Sequence, residues 1–395
     1  MKHVMLIADG MADHSLSQLG GKTPLQKAHT PNMDRLAKEG YCGLITTLKE
    51  GFPLGSDVAI LSLLGYPPDK FYPGRGSLEA ASQGIKLKGH EKAFRVNLVT
   101  IEDGIMADYS AGHIPSSQSR LLMRYLNEKL GDKNIQFHPG VSYRNLLIIK
   151  GKGEIKDDIP STTPPHDIIG KEVRNYLPRG KGANLLKRLI KLSQEYLPQH
   201  PLNIRRIQQG LPPANSIWIW GGGKRPHGES FPKKYGIKAG IISAVDVIKG
   251  IGSILDMEVI KVRKATGDIY TNWRGKARAG IKALRRLDLV IIHIEATDEA
   301  AHMGDPHLKV AAIENFDREI VGRIISAHPE ARIFVGCDHT TSTPLRTHTR
   351  DPVPFILWGI GKSNNCPTFS EVSARLTGVH FKSGRALMKL FIMGK

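Results

Sequence analysis

The chain has 395 residues, 40% hydrophobic and 24% charged, the balance of a globular protein long enough for two domains. The net charge of +19 raises the question of a nucleic-acid partner, yet the basic residues are spread along the chain without a helix-turn-helix, zinc-finger or aromatic-interleaved module. A basic surface and an anionic substrate are the simpler reading, nucleic acid is set aside as main partner, and no apolar run is long enough to span a membrane. Cys42, Cys337 and Cys366 lie too far apart for a thiolate metal motif, and Met1-Lys2-His3 leads straight into a strand that ends in a candidate ligand, so a reducing cytoplasmic setting is expected.

Val4-Met5-Leu6-Ile7-Ala8 reads as a buried strand that stops at Asp9. Thr30 and Pro31 open a helix that Gly40 closes, with Thr30 as its cap. Gly43 to Thr47 is strand-like, and the Gly-rich turn Gly51-Phe52-Pro53-Leu54-Gly55 then feeds an apolar helix with Ser56 at or near its cap. A helix start offers unpaired N–H groups and a positive dipole, which suits a phosphate carried on that serine; a plain capping role is the alternative. Asp57 reads as a capping residue.

After the turn-rich stretch Tyr72 to Ser77 the character changes. From about Lys86 to Pro213, strands such as Phe94 to Val99 and Asn145 to Ile149 mix with a helix near Ser117 to Leu130 and a basic helix from Ala183 to Leu197, punctuated by prolines. This predicts an inserted α+β domain, residues 85–213, within a first domain of residues 1–84 and 214–395.

The first domain is expected to resume at Ser216-Ile217-Trp218-Ile219-Trp220, followed by strands at Lys238 to Ser243 and Glu258 to Val262 and a helix from Asp246. Leu289 to Ile294 is a second apolar strand, followed by Asp298 and, four residues on, His302. That spacing puts both side chains on one face of a helical turn, where they can grip one cation. His293 inside the strand is read as a packed core histidine. Val310, Ile313, Phe316, Ile320, Val321 and Ile324 form a core-facing helical stripe, with Asp317 on its solvated face. A third strand, Arg332 to Cys337, ends in Asp338-His339, and His348 precedes the strand Pro352 to Trp358.

Strand and helix alternation predicts an α/β fold with a mostly parallel sheet flanked by helices, and ligands bind at the carboxyl ends of such strands. Asp9, Asp298, His302, Asp338, His339 and His348 would meet at that edge, with Ser56 as a lone hydroxyl. Oxygen and imidazole donors without thiolate suit manganese, zinc, magnesium or cobalt, and six such groups suit two ions about 4 Å apart. Two ions can acidify a serine hydroxyl and neutralise a phosphoryl group in transfer.

These residues resemble the alkaline phosphatase superfamily, and within it the archaeal-type cofactor-independent phosphoglycerate mutases. The resemblance extends over nearly the whole chain through Thr23-Pro24-Leu25, Thr30-Pro31-Asn32-Met33-Asp34, Gly74-Arg75-Gly76, Phe94-Arg95-Val96-Asn97 and Asp351-Pro352-Val353-Pro354. It implies an alkaline-phosphatase-like core with an inserted smaller domain and two divalent ions, manganese for preference, one on Asp9, Ser56, Asp338 and His339 and the other on Asp298, His302 and His348. It also implies interconversion of 3-phosphoglycerate and 2-phosphoglycerate through phospho-Ser56, with Arg75, Asn97, Tyr143, Arg144, His166, Asp167 and Lys238 as candidate substrate contacts.

One segment departs from the family. Where archaeal mutases carry Arg-Arg-Ala-Gly-Arg, this chain has Asp108-Tyr109-Ser110-Ala111-Gly112-His113, and His293 to Ala296 and Leu345 to Thr349 resemble a bacterial subgroup proposed to phosphorylate homoserine. Transfer to homoserine or another small hydroxy compound, or simple phosphatase action, is the alternative, with Asp108 suited to an ammonium group. Oligomeric state stays open.

Overall fold

The computed structural model describes residues 1–150, 155 and 158–394. Two compact units emerge: Met1–Tyr72 with His227–Lys395, and Pro73–Pro226. Among the described residues no helix is long and apolar enough to cross a membrane.

The first unit is built on an eight-stranded sheet in the order His380–Phe381, Tyr41–Ile45, Val353–Trp358, Arg332–Gly336, His3–Ala8, Leu289–Ile294, Ala239–Ile242, Glu258–Val259. Only the two pairings of Val353–Trp358 are antiparallel; the other five are parallel. His3–Ala8 and Leu289–Ile294 are buried at every residue, as expected of parallel strands covered on both faces. The expected strand from Glu258 shrinks to two residues, since it sits at the sheet edge and pairs on one side alone.

The helix Pro31–Glu39 begins where expected, but Thr30 makes no side-chain cap. Asp317 caps it instead: its Oδ1 accepts from Met33 N at 2.7 Å and its Oδ2 from Asn32 N at 3.2 Å. Asp317 is therefore buried, contrary to the solvated face expected of it, because its carboxylate sits against the start of that helix; a π-helical turn runs over Asp317–Val321.

In the second unit the long strand Lys92–Glu102 pairs antiparallel with Arg144–Ile149, Ile105–Asp108 and Ser216–Lys224. Phe94, Val96 and Leu98 point to one face and pack, with Ile217 and Ile219, against Leu122, Met123 and Leu126 of the helix Ser116–Leu130 and Leu186, Leu189 and Ile190 of the helix Ala183–Tyr196. The period of two turns Arg95 and Asn97 to the opposite face. Ser216–Lys224 thus belongs to this sheet and not to the first unit's, because its alternating Ile217 and Ile219 complete this core. The unit is accordingly wider than residues 85–213 on both sides, and it takes in the helix Arg75–Ser82. That helix lies close to the strand: a Cβ on Gly76 would stand 2.3 Å from Ala93 O, and Gly74 before it has φ 93°.

Candidate functional site

Three neighbouring parallel strands, Arg332–Gly336, His3–Ala8 and Leu289–Ile294, run into Asp338, Asp9 and the helix Ala296–Met303 that bears Asp298 and His302. Asp9 leaves its strand through Gly10, whose φ of 58° turns the chain. A Cβ there would sit 2.2 Å from Thr341 Oγ1 and 2.6 Å from Asp298 Oδ1, so the missing side chain is what lets the acids crowd together. Gly10 N donates to Asp338 Oδ1 at 3.1 Å, and Thr297 Oγ1 donates to the Asp9 carbonyl.

Ser56 is the first residue of the helix Ser56–Leu63, with Gly55 in the cap position. Its hydroxyl does not cap. It lies 3.0 Å from His339 Nε2 and 3.4 and 3.5 Å from the Asp9 carboxylate oxygens. Asp57 accepts from Val58 N and from the Tyr72 hydroxyl.

The histidines share one arrangement. His302 Nδ1 meets Arg346 O at 2.9 Å, His348 Nδ1 meets Leu54 O at 3.0 Å and His339 Nδ1 meets Thr341 Oγ1 at 3.1 Å. Each Nε2 is left for the acids: His302 reaches Asp298 Oδ2 at 3.2 Å, His348 reaches Asp298 Oδ1 at 3.3 Å and His339 reaches Asp9 Oδ1 at 3.2 Å. An imidazole held from behind by an acceptor is how proteins orient a metal-ligating histidine.

The electrostatics are strained in the way an acid cluster dictates. Burial and the carboxylates of Asp338 and Asp298 push Asp9 well above the usual carboxylate range. Burial acts the same way on Asp298, but hydrogen bonds from His302 and His348 outweigh it and hold Asp298 well below. Its hydrogen bond to Asp298 lifts His302 to about 9. His293 is fully buried but not a passive core residue: burial alone would depress it, yet Asp9 and Glu295 raise it to about 8. A histidine in an apolar run has core neighbours in sequence, and only the parallel pairing to His3–Ala8 brings Asp9 beside it.

Two groups of donors close to within 4.8 Å: Asp298, His339 and His348, and Asp9, His293 and Asp338. His293 Nε2 and Asp338 Oδ2 are buried without a hydrogen-bond partner among the described residues. Carboxylates that repel one another, orphaned donors and a thiolate-free set fit divalent cations. All seven residues expected at the sheet edge are brought together there.

The second unit gathers most of the remaining candidates around Trp220, which the sequence reading passed over. Arg95 and Arg75 lie over its ring, at 4.2 and 5.8 Å from the centroid, and His166 meets it edge-on at 5.5 Å. Tyr109 links His166, His113 and Tyr143, and Arg144 lies 5.8 Å from the Tyr143 ring. Asn97 is spent inside this group, donating to Tyr109 O and accepting from Trp220 Nε1, so it positions those rings. Asp167 stands 3.7 Å from His166. Asp108 accepts from Ser110 N, Ser110 Oγ and Gly112 N, which ties its carboxylate to its own loop and leaves it poorly suited to an ammonium group. Lys238 stands apart: it precedes Ala239–Ile242 and so lies at the amino edge of the sheet, opposite the acids.

The Ser56 helix and the acid and imidazole groups meeting at one sheet edge define an α/β fold with a hydroxyl beside candidate metal-ligating groups at the carboxyl ends of its strands. Comparison with known proteins then gives the family. The chain belongs to the 2,3-bisphosphoglycerate-independent phosphoglycerate mutases: it is 45% identical to the Methanosarcina barkeri protein of that name, with 100% of each chain covered. The model of the 2,3-bisphosphoglycerate-independent phosphoglycerate mutase family matches residues 37–203. Among solved structures, a Pyrococcus horikoshii protein superposes with a TM-score of 0.84 at 30% identity, covering 100% of this chain and 98% of that one. The cofactor-independent phosphoglycerate mutase from Thermoplasma acidophilum superposes with a TM-score of 0.70 at 26% identity, covering 100% and 99%.

Proposed function

We propose that the chain interconverts 3-phosphoglycerate and 2-phosphoglycerate through a phosphoserine on Ser56. The observation that carries this reading is the Ser56 hydroxyl 3.0 Å from His339 Nε2 and within 3.5 Å of Asp9, at a helix start in a family of mutases. In the first transfer Ser56 Oγ gives up its proton and forms a bond to phosphorus while the bond from phosphorus to the glycerate oxygen breaks, that oxygen taking up a proton to become a hydroxyl; the second transfer reverses both proton movements. In the second the Ser56 Oγ–P bond breaks as the neighbouring glycerate hydroxyl takes the group, so no water is consumed. The start of the Ser56–Leu63 helix would lend a positive dipole to a phosphoryl group carried on Ser56.

Asp9, Ser56, Asp338 and His339 are assigned to one divalent ion and Asp298, His302 and His348 to another, with manganese the preferred species. Such ions lower the pKa of the serine hydroxyl and neutralise charge on the phosphoryl group. Thr341 Oγ1, hydrogen-bonded to Asp298 at 2.6 Å and to His339 Nδ1, orients both. Arg75, Arg144, Tyr143 and His166 are assigned to the glycerate carboxylate and hydroxyls, holding the sugar acid between the two transfers. The three cysteines are buried and unbridged, which suits a cytoplasmic enzyme.

The test is activity on 3-phosphoglycerate, coupled through enolase, with the chain stripped by EDTA and then resupplied with manganese. Restored isomerisation in the parent and none in Ser56→Ala of unchanged circular dichroism is expected. Normal turnover by Ser56→Ala refutes the phosphoserine step.

A further inference from the structure

We infer that His293 is a metal-ligating residue, forming with Asp9 and Asp338 the donor set of one of the two ions. This rests on the two-ion reading above and adds a fourth imidazole to it. Asp9, His293 and Asp338 each place a donor atom within 4.8 Å of the other two, and all three are buried. His293 Nε2 lies 3.4 Å from Asp9 Oδ2, an edge compatible with two ligands each about 2.0–2.2 Å from a shared zinc-like ion.

The atoms aimed into this space are the orphaned ones. Neither His293 Nε2 nor Asp338 Oδ2 has a hydrogen-bond partner among the described residues, although the imidazole is 0% exposed. An unpartnered buried polar group costs about 1–3 kcal/mol, which a ligated ion would offset.

His293 is also oriented as the other three histidines are, from behind. Its Nδ1 faces Glu295 Oε1 at 3.4 Å. Glu295 is fixed in turn: Lys276 Nζ donates to its Oε2 at 2.6 Å, and Ser243 Oγ and Ala244 N donate to its Oε1 at 2.8 and 2.7 Å. Lys276 has no solvent exposure and Glu295 almost none, so this pair forms a rigid support. A carboxylate held behind an imidazole whose other nitrogen enters an acidic cluster is the arrangement that fixes the tautomer of a ligating histidine. His339, assigned above to the same ion, stands 3.5 Å from Asp338 Oδ2 and 3.2 Å from Asp9 Oδ1, so the two imidazoles approach the acid pair together.

The experiment is titration of the EDTA-stripped full chain with cobalt(II), reading bound metal by elemental analysis and ligand field by visible absorption. The parent is expected to bind two ions, and His293→Ala to bind one of them at least tenfold more weakly, with an altered spectrum and a retained fold. Both affinities unchanged in His293→Ala overturn the inference and leave the two-ion reading standing, whereas no cobalt bound by the parent overturns both. Should His293→Ala not fold, cadmium–nitrogen coupling in the unmutated chain labelled at its histidine rings counts ligating imidazoles directly. Four, from His293, His302, His339 and His348, is the expected count; coupling to the other three without His293 overturns the inference.

Discussion

Gly10→Ala is the substitution that tests the packing of the site most sharply. Its φ of 58° puts alanine in the left-handed region, which costs about 1–2 kcal/mol. The larger effect is steric. The new Cβ would stand 2.2 Å from Thr341 Oγ1 and 2.6 Å from Asp298 Oδ1, where ordinary contact begins at 3.4 Å. Thr341 and Asp298 must therefore both give way, by about 1 Å each, and the 2.6 Å hydrogen bond between them is disturbed from both ends. A displacement of that size at a reacting centre costs on the order of 100-fold in rate. The enolase-coupled assay with manganese should show kcat/KM down by about that factor, with a weaker response to added metal. A Gly10→Ala enzyme with parental kcat/KM and metal dependence would refute the claim that the missing side chain makes room for the acids.

Two further outcomes bear on stability. Asp317→Ala strips the cap from Asn32 N and Met33 N, which should cost about 2 kcal/mol and lower the Tm of the metal-free chain by about 4–8 °C; an unchanged Tm would mean that water replaces the carboxylate. Glu319 is held at about 2 by a hydrogen bond from Arg274, opposed by desolvation and helped by Arg323 and Arg318, so its contribution is present above its ordinary value of 4.5 and is lost as pH falls towards 2. Glu319→Gln should therefore lower the urea midpoint near pH 6, with the gap to the parent closing between about pH 4.5 and 2 and narrowing in high salt, because the arginines are half exposed; a gap independent of pH contradicts the assignment.

The sheet edge was legible because its signal is local: an apolar run that stops at an acid states both the strand and the end that bears chemistry. Lys238 shows the limit of that logic. A charged residue beside a strand is equally visible at either end, and direction within the sheet comes only from the pairing of Ala239–Ile242 with Leu289–Ile294. Ser216–Lys224 was recognised as a strand, yet periodicity does not say which sheet a strand joins. The burial expected of His293 holds, but its acidic partner Asp9, like the burial and the Asn32 partner of Asp317, comes from a segment hundreds of residues away and leaves no local signal. Trp220 and Tyr109 had a weaker signal that could have been used. Trp218 and Trp220 alternate with Ile217 and Ile219, and a strand with one aromatic face and one aliphatic face has two different neighbours to satisfy.

The order in which the chain is made bears on how the first unit can assemble. Its central strand, His3–Ala8, is synthesised well before its two neighbours, Leu289–Ile294 and Arg332–Gly336, which follow it by more than 280 residues. At a translation rate of about 5–20 residues per second, that apolar hexapeptide waits on the order of tens of seconds for a partner on either side. The Pro73–Pro226 unit is continuous and complete long before then. Native pairing of the central strand is thus a late event of high contact order, and the nascent chain depends on shielding of His3–Ala8 from other chains meanwhile. The same delay keeps Asp9 apart from Asp298 and Asp338, which follow it by about 290 and 330 residues, so the acidic pocket cannot form before both have been made.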